Sequence, residues 1–268
     1  MSARVTIPAL QQMKRDGGKS VGVVAWDTEI VRIADRAGLD FVSVGDSVGV
    51  NLWGHESPLE VTLDEMLIVL KAARRGTARM LVGCDIPFGP VQQGTASAVA
   101  AAIRLVKEGG ADMVKVDGAA DFPDAVAAIT RAGIPVFAQF GLTPQTALGY
   151  GVAYAAQSSP DAVAPKALTA RLVAEARALE DAGAALLDFT NSGPAAGPAV
   201  VKAVKIPVIG GFGGGPWLDG RVRLAHAAIG YPASFLEREG PYANVARTAL
   251  DAFTALGEDV RGGRDVRY

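Results

Sequence analysis

Three short apolar runs in this chain end in the same way. Residues 41–44, FVSV, stop at Gly45 and are followed at once by Asp46 and Ser47; the run MLVGC is followed by Asp85; and MVKVDG carries Lys115 and Asp117. Runs of this length, rich in aliphatic and β-branched side chains, are buried strands. Polar residues directly behind such strands lie at the carboxyl mouth of a parallel sheet, where α/β proteins handle their ligands. Three carboxylates from separate strands repel one another unless a cation lies among them. Hard oxygen donors, with no Cys/His cluster, point to Mg2+ or a similar ion rather than structural zinc. Each aspartate taken alone also fits as the cap of the helix behind its strand, but the threefold recurrence favours a shared cation. Lys115 lies two residues before Asp117 and shares its face of the strand. Its ammonium can hold an anionic substrate group or pair with a neighbouring carboxylate.

The elements that position these residues alternate along the whole chain. A short amphipathic helix over 5–15 precedes strands at 20–25, 41–44, 80–84, 113–116, 136–139, 184–189 and the segment IPVIGG. Helices fill the intervals, and Gly or Pro punctuates the boundaries. An eighth short strand is expected within 224–229, then a final helix over 242–256 and a mobile charged tail, RGGRDVRY. The connection FGLTPQTALGYGVAYAAQSSPDAVAP is long enough to be a working loop or lid. Seven or eight strands alternating with helices, with no linker or break in composition, predict one (β/α)8 TIM barrel spanning residues 1–268 as a single domain. An open doubly wound sheet would need a glycine fingerprint after the first strand, and AWDTEI has none.

Composition agrees and removes several classes of function. Half of the 268 residues are hydrophobic but only 6% are aromatic, the balance of a parallel sheet covered by helices. With 26 Lys+Arg against 28 Asp+Glu there is no basic footprint for nucleic acid. No apolar stretch is long enough for a signal peptide or a membrane span. The single cysteine, Cys84, fits a reducing cytoplasm and reads as a small buried apolar residue. A soluble, cytoplasmic protein with no membrane partner is expected.

The motifs carry a further resemblance. VGDSVG followed by GHES, then DIPFG, MVKVDG, FGLTPQ and IPVIGGFGGG occur in an order and spacing similar to those of the ketopantoate hydroxymethyltransferase family, within the phosphoenolpyruvate mutase/isocitrate lyase superfamily. The resemblance covers residues 5 to 232. It implies a Mg2+-dependent barrel, usually a cytoplasmic homo-oligomer, in which a small-molecule 2-oxo acid chelates the metal, loses its C3 proton and attacks the methylene carbon of methylenetetrahydrofolate. By position it implies that Asp46 and Asp85 are direct metal ligands and that Asp117, where the family has Glu, reaches the metal through water. It likewise implies that Gly45, Ser47 and Lys115 contact the substrate carboxylate.

Two departures bear on the reaction. In LLDFTNSGP the residue aligned with the family's general-base Glu is Thr190, and a threonine cannot take a C–H proton near neutral pH. Asp188 lies two residues earlier on the same face, one layer deeper, and is the candidate replacement. The family's strand-five His is Gln139 here, which can hydrogen-bond a hydroxymethyl group but cannot shuttle a proton. The alternatives are therefore another metal-dependent C–C lyase or aldolase of the superfamily acting on a 2-oxo acid or related carboxylate, and a metabolite binder without turnover.

Overall fold

The computed structural model describes residues 3–146 and 166–264. Eight parallel strands close into a barrel in sequence order: β1 (Ser20–Val24), β2 (Phe41–Val44), β3 (Leu81–Asp85), β4 (Met113–Val116), β5 (Val136–Gly141), β6 (Leu186–Thr190), β7 (Val208–Gly210) and β8 (Gly220–Leu224). Helices α2 (Thr28–Arg36), α3 (Leu63–Gly76), α4 (Thr95–Lys107), α5 (Pro123–Arg131), α6 (Thr169–Asp181) and α7 (Ala196–Ala203) occupy the crossovers, and α1 (Ile7–Arg15) precedes β1. The expected (β/α)8 architecture is thus present. Local chemistry starts several helices: Asp27 accepts from the backbone N–H groups of Glu29 and Ile30 at α2, and Thr62 with Glu65 forms a capping box at α3.

One face of each strand points inward, and the first inward residues form an apolar floor of Phe41, Leu81, Met113, Phe137, Leu186, Ile209 and Val222, joined by Leu10 of α1. Phe41 and Phe137 meet edge to face with centroids 6.1 Å apart. The floor admits these rings because the facing position on β1 is Gly22, where a Cβ would stand 2.3 Å from the Phe41 ring. Helix α1 adds Leu10 to the floor, and Val5, Ile7 and Met13 pack against the same cluster.

The eighth strand is not where the hydrophobicity of 224–229 suggested. It is Gly220–Leu224, and Ala225–Ala228 is a helical turn, α8. Val222 alone supplies the inward apolar residue of that strand, so GRVRL carries a period of two that two arginines mask. The final helix, α9, runs Val245–Arg261, three residues later at its start and five at its end than expected. Most of the long connection after GLTPQ, residues 147–165, lies outside the described residues, and the lid reading falls there. Residues 265–268 of the tail do so too; Arg264 turns back on α9, its Nε 2.6 Å from Asp259 Oδ1.

Two compact units emerge, residues 1–222 and 223–268. The first holds the inward-facing polar residues. In the second, Val245 and Ala246 donate to Ile229 and Gly230 carbonyls at 3.1 and 2.9 Å, and only Ala246 of α9 is buried. No described helix is long and apolar enough to cross a membrane.

Candidate active site

Inward-facing residues recur every second position. The strand faces that supply the floor therefore supply polar groups one and two steps nearer the carboxyl end: Met113 is followed by Lys115 and Asp117, Leu186 by Asp188 and Thr190, Phe137 by Gln139 and Gly141, Leu81 by Gly83 and Asp85, and Phe41 by Ser43 and Gly45. Asp46, Asp85, Lys115, Asp117, Gln139, Asp188 and Thr190 are all buried.

Lys115 is the hub. Its Nζ lies 3.3 Å from Asp188 Oδ2 and 3.6 Å from Asp85 Oδ2, with the Phe137 ring beneath it at 5.9 Å. Asp188 Oδ1 accepts from the Gly211 N–H at 3.2 Å, so both of its oxygens are held. Asp46 donates its own N–H to Asp85 and accepts at Oδ2 from Gln145 Nε2 at 2.8 Å. Asp117 receives the Thr143 hydroxyl and the Gln145 N–H, the latter at 3.3 Å. Gly45 is pinned by the Trp26 indole, which donates to its carbonyl at 2.8 Å. A Cβ on Gly45 would stand 2.9 Å from Ser47 Oγ and 3.6 Å from Asp85 Oδ2, so Gly45, Ser47 and Asp85 share one small space.

Gln139 and Thr190 form a separate pair. Gln139 Nε2 donates to Thr190 Oγ1 at 2.9 Å across the β5–β6 register. Gln139 is also the strand partner of Asp188, whose side chain turns instead to Lys115. Gln145 and Thr143, which orient two of the three aspartates, belong to the GLTPQ motif, from which the sequence reading draws no role for either. The signal was a pair of hydrogen-bonding side chains flanking a proline on a loop at the barrel mouth.

The three aspartates crowd one another without closing into a cage: among the described residues no group of three His, Cys, Asp or Glu is arranged as a finished ligand set. Lys115 against Asp85 and Gln145 against Asp46 occupy some of the lone pairs that such a set would use. The residues nevertheless fit a hard divalent cation. Among the described residues Asp85 Oδ1 and Asp117 Oδ1 are buried with no hydrogen-bond partner, and the three aspartates offer oxygen donors only. An uncompensated buried carboxylate oxygen is unfavourable, and a cation relieves it.

Electrostatics point the same way. Burial, then the charges of Asp85 and Asp117, push Asp46 up to about 8; burial dominates for Asp117, pushed up to about 7, and for Asp85, which is also raised. Burial works against the Lys115 ammonium, but Asp85, Asp188, Asp117 and Asp46 outweigh it and keep it charged. Burial pushes the Cys84 thiol well up, consistent with an inert core residue. Because Asp46 and Asp117 titrate higher folded than unfolded, the metal-free folded state binds more protons between about pH 4 and pH 8. Its stability therefore falls as pH rises through that window. The melting temperature in EDTA is expected to drop by several degrees from pH 5 to pH 8, and Mg2+ to restore more of it at pH 8 than at pH 5. A Mg2+ effect independent of pH would show that these carboxylates do not take up the ion.

Comparison with known proteins adds a family. The sequence model described as ketopantoate hydroxymethyltransferase matches residues 4–264. A protein of Cyanothece sp. named 3-methyl-2-oxobutanoate hydroxymethyltransferase is 40% identical over 264 residues, 96% of each chain. One of the same name from Salinibacter ruber is 37% identical over 259 residues, 96% of this chain and 95% of its own. Among solved structures, phosphonopyruvate hydrolase in complex with oxalate and Mg2+ superimposes with a TM-score of 0.60 at 15% identity, over 97% of this chain and 88% of that one. A 2,3-dimethylmalate lyase of the PEP mutase/isocitrate lyase superfamily gives 0.59 at 14% identity, over 97% and 89%. These two support the fold alone.

Proposed function

From the premise that this chain belongs to the ketopantoate hydroxymethyltransferase family, we propose that it catalyses Mg2+-dependent hydroxymethyl transfer to the enolate of a 2-oxo acid, with methylenetetrahydrofolate as the one-carbon donor. The observation that carries the proposal is the bridge Asp85–Lys115–Asp188, which sets a fixed cation between a candidate metal ligand and a candidate base. Asp46 and Asp85 would hold the divalent ion, with Asp117 behind them. When bound, the ion supplies positive charge next to the 2-oxo group, where negative charge develops on enolisation.

The remaining work falls to the protein. The Lys115 ammonium, the Ser47 hydroxyl and the Gly45 backbone bind the substrate carboxylate and so fix the plane of the developing enolate. Asp188 takes the C3 proton. In the free protein Lys115 Nζ lies 3.3 Å from Asp188 Oδ2, so a substrate carboxylate drawn to Lys115 is brought beside the base. Thr190 and Gln139, bonded to each other, line the reacting end without a proton role. That pair, standing where the family has Glu and His, is what favours the second reading, a metal-dependent C–C lyase or aldolase. Such a reaction can begin from a hydroxyl proton. A metabolite binder without turnover is the third reading.

The deciding experiment follows deuterium incorporation at C3 of 3-methyl-2-oxobutanoate by proton NMR, with Mg2+ and without folate. Exchange well above an EDTA-treated control is expected. No exchange, with the 2-oxo acid still bound, would leave the lyase or the binder. A homo-oligomer is also proposed, supported by the exposed apolar row Leu250, Phe253, Leu256 and Val260 on α9; light scattering at monomer mass would overturn it.

A further inference from the structure

Among the described residues one non-glycine residue has a left-handed backbone: Asn191, at φ 55°, directly after β6. Its side chain is fully buried, and neither the amide nitrogen nor the amide oxygen has a hydrogen-bond partner among the described residues. The following turn folds over it. Asn191 N–H donates to the Phe212 carbonyl at 2.9 Å, and Gly213 lies so close that a Cβ there would stand 2.8 Å from Asn191 Oδ1. Asparagine adopts this backbone more readily than other side chains do. An idle buried polar group is still unfavourable, and here both the donor and the acceptor are idle. Glycine would relieve the backbone and the amide together, so the fold by itself gives no reason for asparagine. An outlier of this kind calls for a ligand.

The surroundings indicate which ligand. Thr190, the preceding residue, is already bonded to Gln139, and Asp188 is bonded through Oδ1 to Gly211 at the start of the same turn. Asn191 thus packs against the same turn, 211–213, whose first residue bonds Asp188. A carboxamide offers a donor and an acceptor side by side; a hydroxyl answers both and a hydrocarbon neither. Of the two 2-oxo acids in the proposed reaction, one ends in an isopropyl group and the other carries a hydroxymethyl group.

We propose that Asn191 is a specificity-determining residue whose carboxamide hydrogen-bonds a hydroxyl on the carbon chain of the 2-oxo acid. The site then favours a hydroxylated 2-oxo acid over its hydrocarbon counterpart. This inference rests on the 2-oxo acid reading above.

Calorimetric titration of the full chain in Mg2+ with 4-hydroxy-3,3-dimethyl-2-oxobutanoate and with 3-methyl-2-oxobutanoate tests it. The wild type should bind the hydroxylated acid more tightly. In Asn191→Gly, which keeps the left-handed backbone and removes the amide, that preference should fall by about tenfold, while affinity for 3-methyl-2-oxobutanoate stays within about twofold. An unchanged preference, or equal losses for the two acids, overturns the proposal. Failure of the wild type to bind either acid takes down the 2-oxo acid reading itself and is recognised before any variant is made. Asn191→Gly should melt at or above the wild-type temperature because it removes idle buried groups; if it does not fold, Asn191→Ala carries the same comparison.

Discussion

Replacing Asp188 with asparagine is expected to lower the rate of C3 hydrogen exchange in 3-methyl-2-oxobutanoate by about 10³-fold, within the usual contribution of a positioned general base. The substitution is nearly isosteric. Its carboxamide keeps an oxygen for the Gly211 N–H, which now meets Asp188 Oδ1 at 3.2 Å. Lys115 loses the partner at 3.3 Å but keeps Asp85 at 3.6 Å, so it stays charged and continues to bind the substrate carboxylate. Affinity for the 2-oxo acid should therefore change by no more than a few fold. That split separates a base from a merely structural anion, since loss of a structural partner for Lys115 would damage binding as much as exchange. Unchanged exchange in the variant would remove Asp188 from the proton transfer. Thr190→Glu would then become the informative experiment, because it restores the family's carboxylate one step nearer the mouth.

Asp46→Ala should have the second large effect, and its signature is a separation of ion binding from stability. Mg2+ affinity, read by calorimetry, should fall by at least about 10²-fold, since a hard cation loses one of its charged oxygens. Metal-dependent exchange should be lost with it. Stability of the metal-free protein should move the other way. Burial and the charges of Asp85 and Asp117 push Asp46 up to about 8, so its ionised form is unfavourable in the folded state without a cation. Removing it relieves that repulsion. The EDTA-treated variant is expected to melt no lower than wild type at pH 8, even though Gln145 Nε2 loses its partner at 2.8 Å and keeps only the Ile86 carbonyl at 3.4 Å. Full activity in EDTA-washed Asp46→Ala would overturn the assignment of the metal site.

The two variants divide the site along a physical line. Asp46, Asp85 and Asp117 are carboxylates made unfavourable by burial and mutual repulsion, which a cation would compensate. Asp188 is a carboxylate already partnered by Lys115 and Gly211. Lys115 couples the two halves because it reaches an aspartate in each.

The sequence by itself determined what depends on local periodicity. Alternating apolar strands and amphipathic helices, with glycine and proline at their ends, specify a (β/α)8 barrel, and a strand period of two places Asp117 above Lys115 and Thr190 above Asp188 on inward faces. The motifs fixed the family for the same reason: each is a contiguous string. Tertiary structure decided whatever depends on barrel closure. Whether Lys115 would pair with a carboxylate or stand free could not be read from its own strand, because its partners Asp85 and Asp188 arrive from β3 and β6. Gln145 reaches Asp46 across 99 positions, a contact that no local pattern encodes. The eighth strand escapes a reading from sequence because Val222 is its one residue in the core and the arginines on either side belong to the other face, and its pairing with β7 identifies it. Asn191 reads in sequence as a turn residue. Burial beneath the glycine turn after β7 leaves its amide without a partner, and that follows from packing between two segments that chain order keeps about twenty residues apart.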